Sequence, residues 1–203
     1  MRKTLKRIAF CAVAAALIWT AGVVKDKMDL RQNLIRLHVV AASDSDRDQT
    51  LKLQVRDAVI NSLQEHLQNL TDHAQAKVYL QDNLSQIEAL ANRVLRENHC
   101  ADKASVTLRE ETFPVRYYDT FALPSGVYES LRITIGEGEG HNWWCVVFPA
   151  LCVGATVREF EETAHCAGMR DTLTDTLVGE KAYETRFLIL DTLGELENLL
   201  HKG

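Results

Sequence analysis

Four groups of residues have types and spacings that could do chemistry. Gly136, Gly138 and Gly140 alternate with Glu137 and Glu139. A glycine turn can cradle a phosphate on its backbone N–H groups, but here two carboxylates would stand beside the anion. No lysine follows, and the spacing fits neither the dinucleotide nor the P-loop fingerprint. Ser43–Asp48, SDSDRD, alternates oxygen ligands as a calcium loop does. With Asp44 as position 1, however, the turn glycine falls on Gln49 and the bidentate glutamate on Val55, so the loop fails. Cys145 with His141 or His165 is a thiol and imidazole pairing of the kind a cysteine hydrolase uses. Its neighbour is Trp144 rather than a cation or a helix N-terminus, and Cys152 offers a structural partner. Finally, Trp143 and Trp144 are adjacent, and successive side chains of a strand point to opposite faces. One of them must therefore meet a surface or a groove unless a loop buries both. Tryptophan anchors are enriched at interface hot spots, which makes the pair a candidate partner contact. No catalytic residue, cofactor or metal ligand set is expected; the cysteine spacings fit no common zinc pattern.

Apart from Ser43–Asp48 and His165, these residues sit in one stretch, Leu131–Cys152, LRITIGEGEGHNWWCVVFPALC. Leu131, Ile133 and Ile135 alternate with polar residues as a half-buried strand, which ends at Gly136. Upstream, Leu34–Ala41 reads as a first strand, with Ile35, Leu37 and Val39 on its buried face and Arg36 and His38 on the other. His38 is expected as a hydrogen-bonded structural residue, since no nucleophile stands beside it. Ser43 or Ser45 then caps a helix with Asp46 and Asp48 in its first turn. That helix, from about Asp46 to Leu70, and a second from about His73 to Asn98 carry apolar stripes and read as a helical hairpin. From Ala104 the period changes to two, and residues 104–136 read as a β-hairpin turning through Leu123–Gly126. Beyond Cys152 the expectation is a short acidic helix over Ala155–Ala167, a polar linker over Gly168–Lys181, a last strand around Phe187 and Ile189, and a helix over Thr192–Leu200.

Two segments resemble the stage II sporulation protein R family. Leu131–Cys152 is similar to a family pattern near IGEG-x-G-x-NWWC-V-x-FPPLC, with Ala150 in place of the second proline. Asn33–Arg56, NLIRLHVVAASDSDRDQTLKLQVR, is similar to a pattern near IR-x-HV-I-ANSD-x-x-x-DQ-x-LK-x-x-VR, with Ala42 in place of asparagine. With FPVRYYDTFALPSGVYESLRI between them, the resemblance extends from about Asn33 to Cys152. It implies a protein made in the forespore and exported into the space between the two septal membranes. There it would switch on a membrane-embedded aspartic protease of the mother cell, which removes the pro-sequence of the sigma-E transcription factor. It also makes the basic pair Lys52 and Arg56 a possible docking edge.

Composition agrees with export. In 203 residues, all four basic residues of the first 24 (Arg2, Lys3, Lys6, Arg7) precede an uncharged run, Ile8–Val24. That is the layout of an export signal, with the remainder crossing the membrane. At 17 residues the run lies between a signal-peptide core and a relaxed span, so cleaved signal and retained anchor both stand. The rest of the chain has 19 basic against 28 acidic residues, a poor balance for nucleic-acid binding. Outside Cys11 there are four cysteines, which in an oxidising compartment allow three pairings. The short loop favours Cys145 with Cys152, and four buried free thiols are the other possibility.

The expectation is an α+β protein: a signal or anchor over residues 1–24, a linker over 25–33, and a single extracytoplasmic domain over 34–203. In that domain the helical hairpin packs on a small, mostly antiparallel sheet. Candidate partner contacts are Trp143, Trp144, Glu137, Glu139, Asn142, Asp44 and Asp46. The alternative is an exported cysteine hydrolase using Cys145.

Overall fold

The computed structural model describes residues 2–149, 157–166, 168–178 and 185–201. The fold is α+β, with a four-stranded mixed sheet in the order β2-β5-β1-β6 and helices on both faces.

β1 (Ile35–Val40) lies inside the sheet and is buried along its whole length. It pairs parallel with β5 (Gly126–Ile135) and antiparallel with β6 (Asn142–Phe148). β2 (Ala104–Phe113) pairs antiparallel with β5, from Ala104 opposite Ile135 to Phe113 opposite Gly126, as the expected hairpin requires. A small ribbon of β3 (Arg116–Tyr117) and β4 (Ala122–Leu123) fills the connection.

One face of the sheet carries the helical hairpin. α2 (Asp46–Leu67) begins where the capping residues place it: Ser45 is extended, and its hydroxyl accepts from the Asp48 N–H at 3.2 Å. Leu51, Val55, Val59 and Leu63 from α2 pack with Ile35, Leu37, Val39, Leu131 and Ile133 from the sheet. The second arm is divided into α3 (His73–Asp82) and α4 (Leu84–Glu97). Asn83 leaves helical geometry there, and its amide Nδ2 donates to the Tyr79 carbonyl at 2.8 Å. A short polar side chain that bonds its own backbone competes with the helix at this position. α4 also protects the edge of β2: Asn92 takes both the N–H and the C=O of Ala104, and Glu88 takes the Val106 N–H.

The second face is covered by α1 (Arg2–Asn33), α5 (Val157–Cys166), α6 (Asp171–Leu177) and α7 (Thr185–His201), which bury Phe113, Tyr128, Val146, Phe160, Leu173 and Phe187 among others. Three segments differ here from the sequence reading. Lys25–Asn33, expected as a linker, is the last part of α1. Its polar composition concealed a docking face, because Val23 and Leu30 are buried and the charges have distant partners: Asp26 and Asp29 on Arg170, Lys27 on Glu197, and Arg31 on Glu110. The expected linker after Gly168 contains α6, anchored by buried Leu173 and Leu177. The expected strand at Phe187 and Ile189 is the start of α7. A four-residue apolar run fits either period, and burial of Phe187 and Leu190, three apart, follows the helical one. α7 lies so close to the Ser125 turn that a Cβ on Gly194 would stand 1.6 Å from the Ser125 carbonyl oxygen. Before its docked part, α1 holds a run long and apolar enough to cross a membrane, and almost none of it is buried.

Candidate functional site

The parallel strands β1 and β5 end side by side, and the turns that follow them form a rim. The Gly140 N–H donates to the Ala41 carbonyl at 3.0 Å, and the Glu139 N–H donates to the Ala42 carbonyl at 3.3 Å. The Asp44 carboxylate accepts from the His141 N–H at 2.6 Å and also meets the His141 ring at Nδ1. These bonds, the backbone N–H first, hold the Asp44 carboxyl below the usual carboxylate range. Gly140 is required by close approach, since a Cβ there would lie 2.3 Å from the Ser43 carbonyl oxygen.

Lys52 is internal to this rim. It is 5% exposed, and its ammonium donates to the His141 carbonyl at 3.0 Å and to Gln49 Oε1 at 2.5 Å. Burial, and then the nearby Arg56 cation, lowers its pKa. Lys52→Met leaves the His141 carbonyl without this donor in a place water reaches poorly. It is expected to lower stability by about 1–3 kcal/mol, read as a shift of the urea midpoint without a change of slope.

Trp143 and Trp144 take opposite faces of β6. Trp143 is 37% exposed on the α2 side, with the Arg56 guanidinium 4.2 Å from its ring centre. Of the two basic residues marked as a docking edge, Arg56 therefore flanks a surface tryptophan, while Lys52 is a strut. Glu137, Glu139 and Asp46 are exposed around the same rim.

Trp144 turns to the second face, where it stacks on His38 with ring centres 3.8 Å apart. His38 Nδ1 meets Glu111 at 3.1 Å, and Nε2 meets Asn142 Oδ1 at 2.8 Å. Glu111 is also bonded by Arg132 at 2.9 Å and Arg109 at 3.0 Å. This network crosses every strand of the sheet, from Glu111 on β2 through Arg132 and His38 to Asn142 and Trp144 on β6. It floors a cleft of about 790 Å³ lined in addition by Phe113 and Asn198. Burial by itself would push the Glu111 carboxyl up, but the hydrogen bonds from His38 and Arg132 outweigh it and bring the pKa down to about 2. Both ring nitrogens of His38 have hydrogen-bond partners within this network.

Deeper on the same face, Arg36 is fully buried. It donates to the Cys145 carbonyl at 3.1 Å and the Tyr118 hydroxyl at 2.9 Å, and its guanidinium lies 4.4 Å from the Phe113 ring centre. Tyr128, also over this cation, has its phenol pushed up chiefly by burial.

The rim thus brings together Asp44, Glu137, Glu139 and Trp143, with Asp46 in the adjoining first turn of α2, whereas Trp144 lies on the other face of the sheet, and the Asn142 side chain turns to that face to meet His38. The His38, Glu111 and Arg132 network was not anticipated. Its residues all sit at polar positions of their strands, a signal present in the sequence, but strand order was needed to join them. Cys145 is disulfide-bonded and 4% exposed, while Cys11 and Cys100 are free thiols. A sulfur held in a disulfide has no thiolate to attack with, which counts against the hydrolase alternative. Cys152, its expected partner, lies outside the described residues.

Comparison with known proteins agrees with the two motif segments. The family model described as stage II sporulation protein R matches residues 31–158. Stage II sporulation protein R of Bacillus subtilis (strain 168) is 37% identical over 133 residues, which is 63% of this chain and 59% of that relative's length. No solved structure matches.

Proposed function

The chain belongs to the stage II sporulation protein R family, and on that premise we propose that it is a non-enzymatic signal that activates a membrane-embedded aspartic protease processing the sigma-E precursor. The observation that carries this reading is the rim. Asp44 and Asp46 come from one family-like segment and Glu137 to Trp143 from the other, and folding joins both into one exposed surface at one end of the sheet. The surface has a tryptophan anchor, flanking acids and a rigid backbone, which are features of a protein contact. A chain that only binds can activate an enzyme solely by preferring its active state, so the rim must fit that state better than the resting one. Disulfide bonding of Cys145 supports the same reading by removing the nucleophile that the hydrolase alternative requires. The setting that the resemblance implied, export from the forespore into the intermembrane space, fits the unburied apolar run of α1.

The test is to produce the full chain together with the protease and the sigma-E precursor in cells that lack other sporulation proteins, and to follow precursor cleavage on a gel. Cleavage should require the chain. Trp143→Ala should reduce it about tenfold or more, the effect of losing a hot-spot anchor, while the protein remains folded and exported. Trp144→Ala tests the second face in the same assay: a folded, exported variant with normal activation would remove Trp144 and its cleft from the contact surface. Any soluble version must begin at or before Val23, because Val23, Asp26 and Leu30 are buried parts of the domain.

A further inference from the structure

The two ends of the domain are distinguished by how α1 joins it. Lys27 donates to the Leu193 carbonyl at 2.9 Å, and Arg31 reaches Glu197 at 3.4 Å. Both pairs are 166 residues apart, so α1 and α7 run side by side in the same direction. The same offset puts Gly22 level with Leu188. The start of α7 therefore stands where the unburied apolar run of α1 stops. Leu188 is 54% exposed there, and Tyr117, close to Phe187, is 58% exposed.

α1 also runs in the direction of β5. Val24, Lys27 and Arg31 line a small hollow with Gly126 and Val127, and Arg31 pairs at 2.5 Å with Glu110, which stands opposite Glu129. The apolar run thus enters at the beginning of β5, and the rim lies past its end at Ile135. With 10 residues in β5, the two ends are about 30 Å apart.

The apolar run passes into the docked part of α1 without a break in the helix. α1 continues as helix to Asn33, and Asp26 and Asp29 are both paired with Arg170, Asp26 at 2.6 Å. From Ile8 to Val24 the run is about 26 Å long, slightly short of a hydrocarbon layer of roughly 30 Å, so it leaves no slack that would let the domain move away from the lipid.

From this geometry we infer that, with α1 in a bilayer, the domain stands upright on it. The Tyr117 and Leu188 end rests in the headgroup layer, and the rim points away by the length of the sheet. The rim would then stand about 30 Å from the lipid surface. The orientation is a property of the chain and a lipid surface and holds whatever the rim binds.

The experiment uses the full chain with every cysteine outside the Cys145 disulfide changed to serine, reconstituted into phosphatidylglycerol and phosphatidylethanolamine vesicles and recovered by flotation. A fluorophore is placed on a cysteine introduced at Leu188 or at Glu137, both exposed positions, and quenched by lipids spin-labelled near the headgroup. Label at 188 should be quenched at least twofold more than label at 137. Equal quenching, or stronger quenching at 137, in chains that float would overturn the proposal, as would failure of the chain to float at all. No protease is present, so the result is independent of whether the rim activates one.

Discussion

Glutamine in place of Glu111 is expected to destabilise the domain by about 3 kcal/mol at neutral pH, and the loss should fade in acid. The carboxyl falls from 4.5 to about 2 on folding, and each unit corresponds to about 1.4 kcal/mol. Its side chain is only 10% exposed, so screening by solvent is slight. Because the folded state binds this proton more weakly than the unfolded chain, the stabilisation is complete above the unfolded value. It is lost as pH falls from about 4.5 through about 2. Glutamine keeps the shape of the residue but leaves His38, Arg132 and Arg109 facing one another without their shared anion. Urea unfolding at pH 7 and at pH 3 measures both parts. The gap between parent and variant should shrink to about half or less at pH 3; an equal gap at both would show that the carboxylate charge is not what holds the four strands together.

Gly140→Ala should damage the rim more than any change to its exposed side chains. The added Cβ would lie 2.3 Å from the Ser43 carbonyl oxygen and 2.6 Å from its carbon. Both are backbone atoms in a corner already fixed by the Asp44, His141 and Lys52 bonds, so no side-chain rotation relieves the overlap. Separating the two turns is expected to cost about 1–3 kcal/mol. Activation of the protease should be lost with it, since Glu137 to Trp143 and Asp44 would no longer share one surface. Glu137→Ala is the control: the side chain is exposed, and its stability should stay within about 0.5 kcal/mol of the parent. Thermal unfolding and precursor cleavage on the same preparations measure the two effects. An alanine variant as stable and as active as the parent would sink both the close approach and the role of the rim.

Together these two substitutions separate the faces of the molecule. Glu111 belongs to a buried network that couples the strands beneath the cleft, so its effect is on folding. Gly140 shapes a surface, and its effect is expected in precursor cleavage as well as in stability. Arg36, buried between Phe113 and Tyr128, belongs with Glu111 as an element of cohesion.

The sequence by itself determined the local elements whose cause is local. Ser45 caps α2 because its hydroxyl reaches an N–H three residues on. Ile35, Leu37 and Val39 of β1 and Leu131 and Ile133 of β5 share one face because successive side chains of a strand point to opposite sides. The tandem tryptophans had to part because a strand has two faces. The glycine and acid spacings argued against a phosphate cradle and a calcium loop, and a partner contact at these residues is the proposal that precursor cleavage tests.

Only the tertiary structure decided which of these elements meet. Lys25–Asn33 reads as polar linker until Arg170, Glu197 and Glu110 arrive to pair its charges. Phe187 and Ile189 fit a strand until α7 is seen to bury Phe187 and Leu190 together. His38 is a lone histidine until the order β2-β5-β1-β6 brings Glu111, Arg132 and Asn142 around it. The reason is physical: caps and periodicity act over a few residues and are encoded in those residues, whereas ion-pair partners and strand neighbours lie tens to more than a hundred positions away. They are selected by the packing of the whole chain.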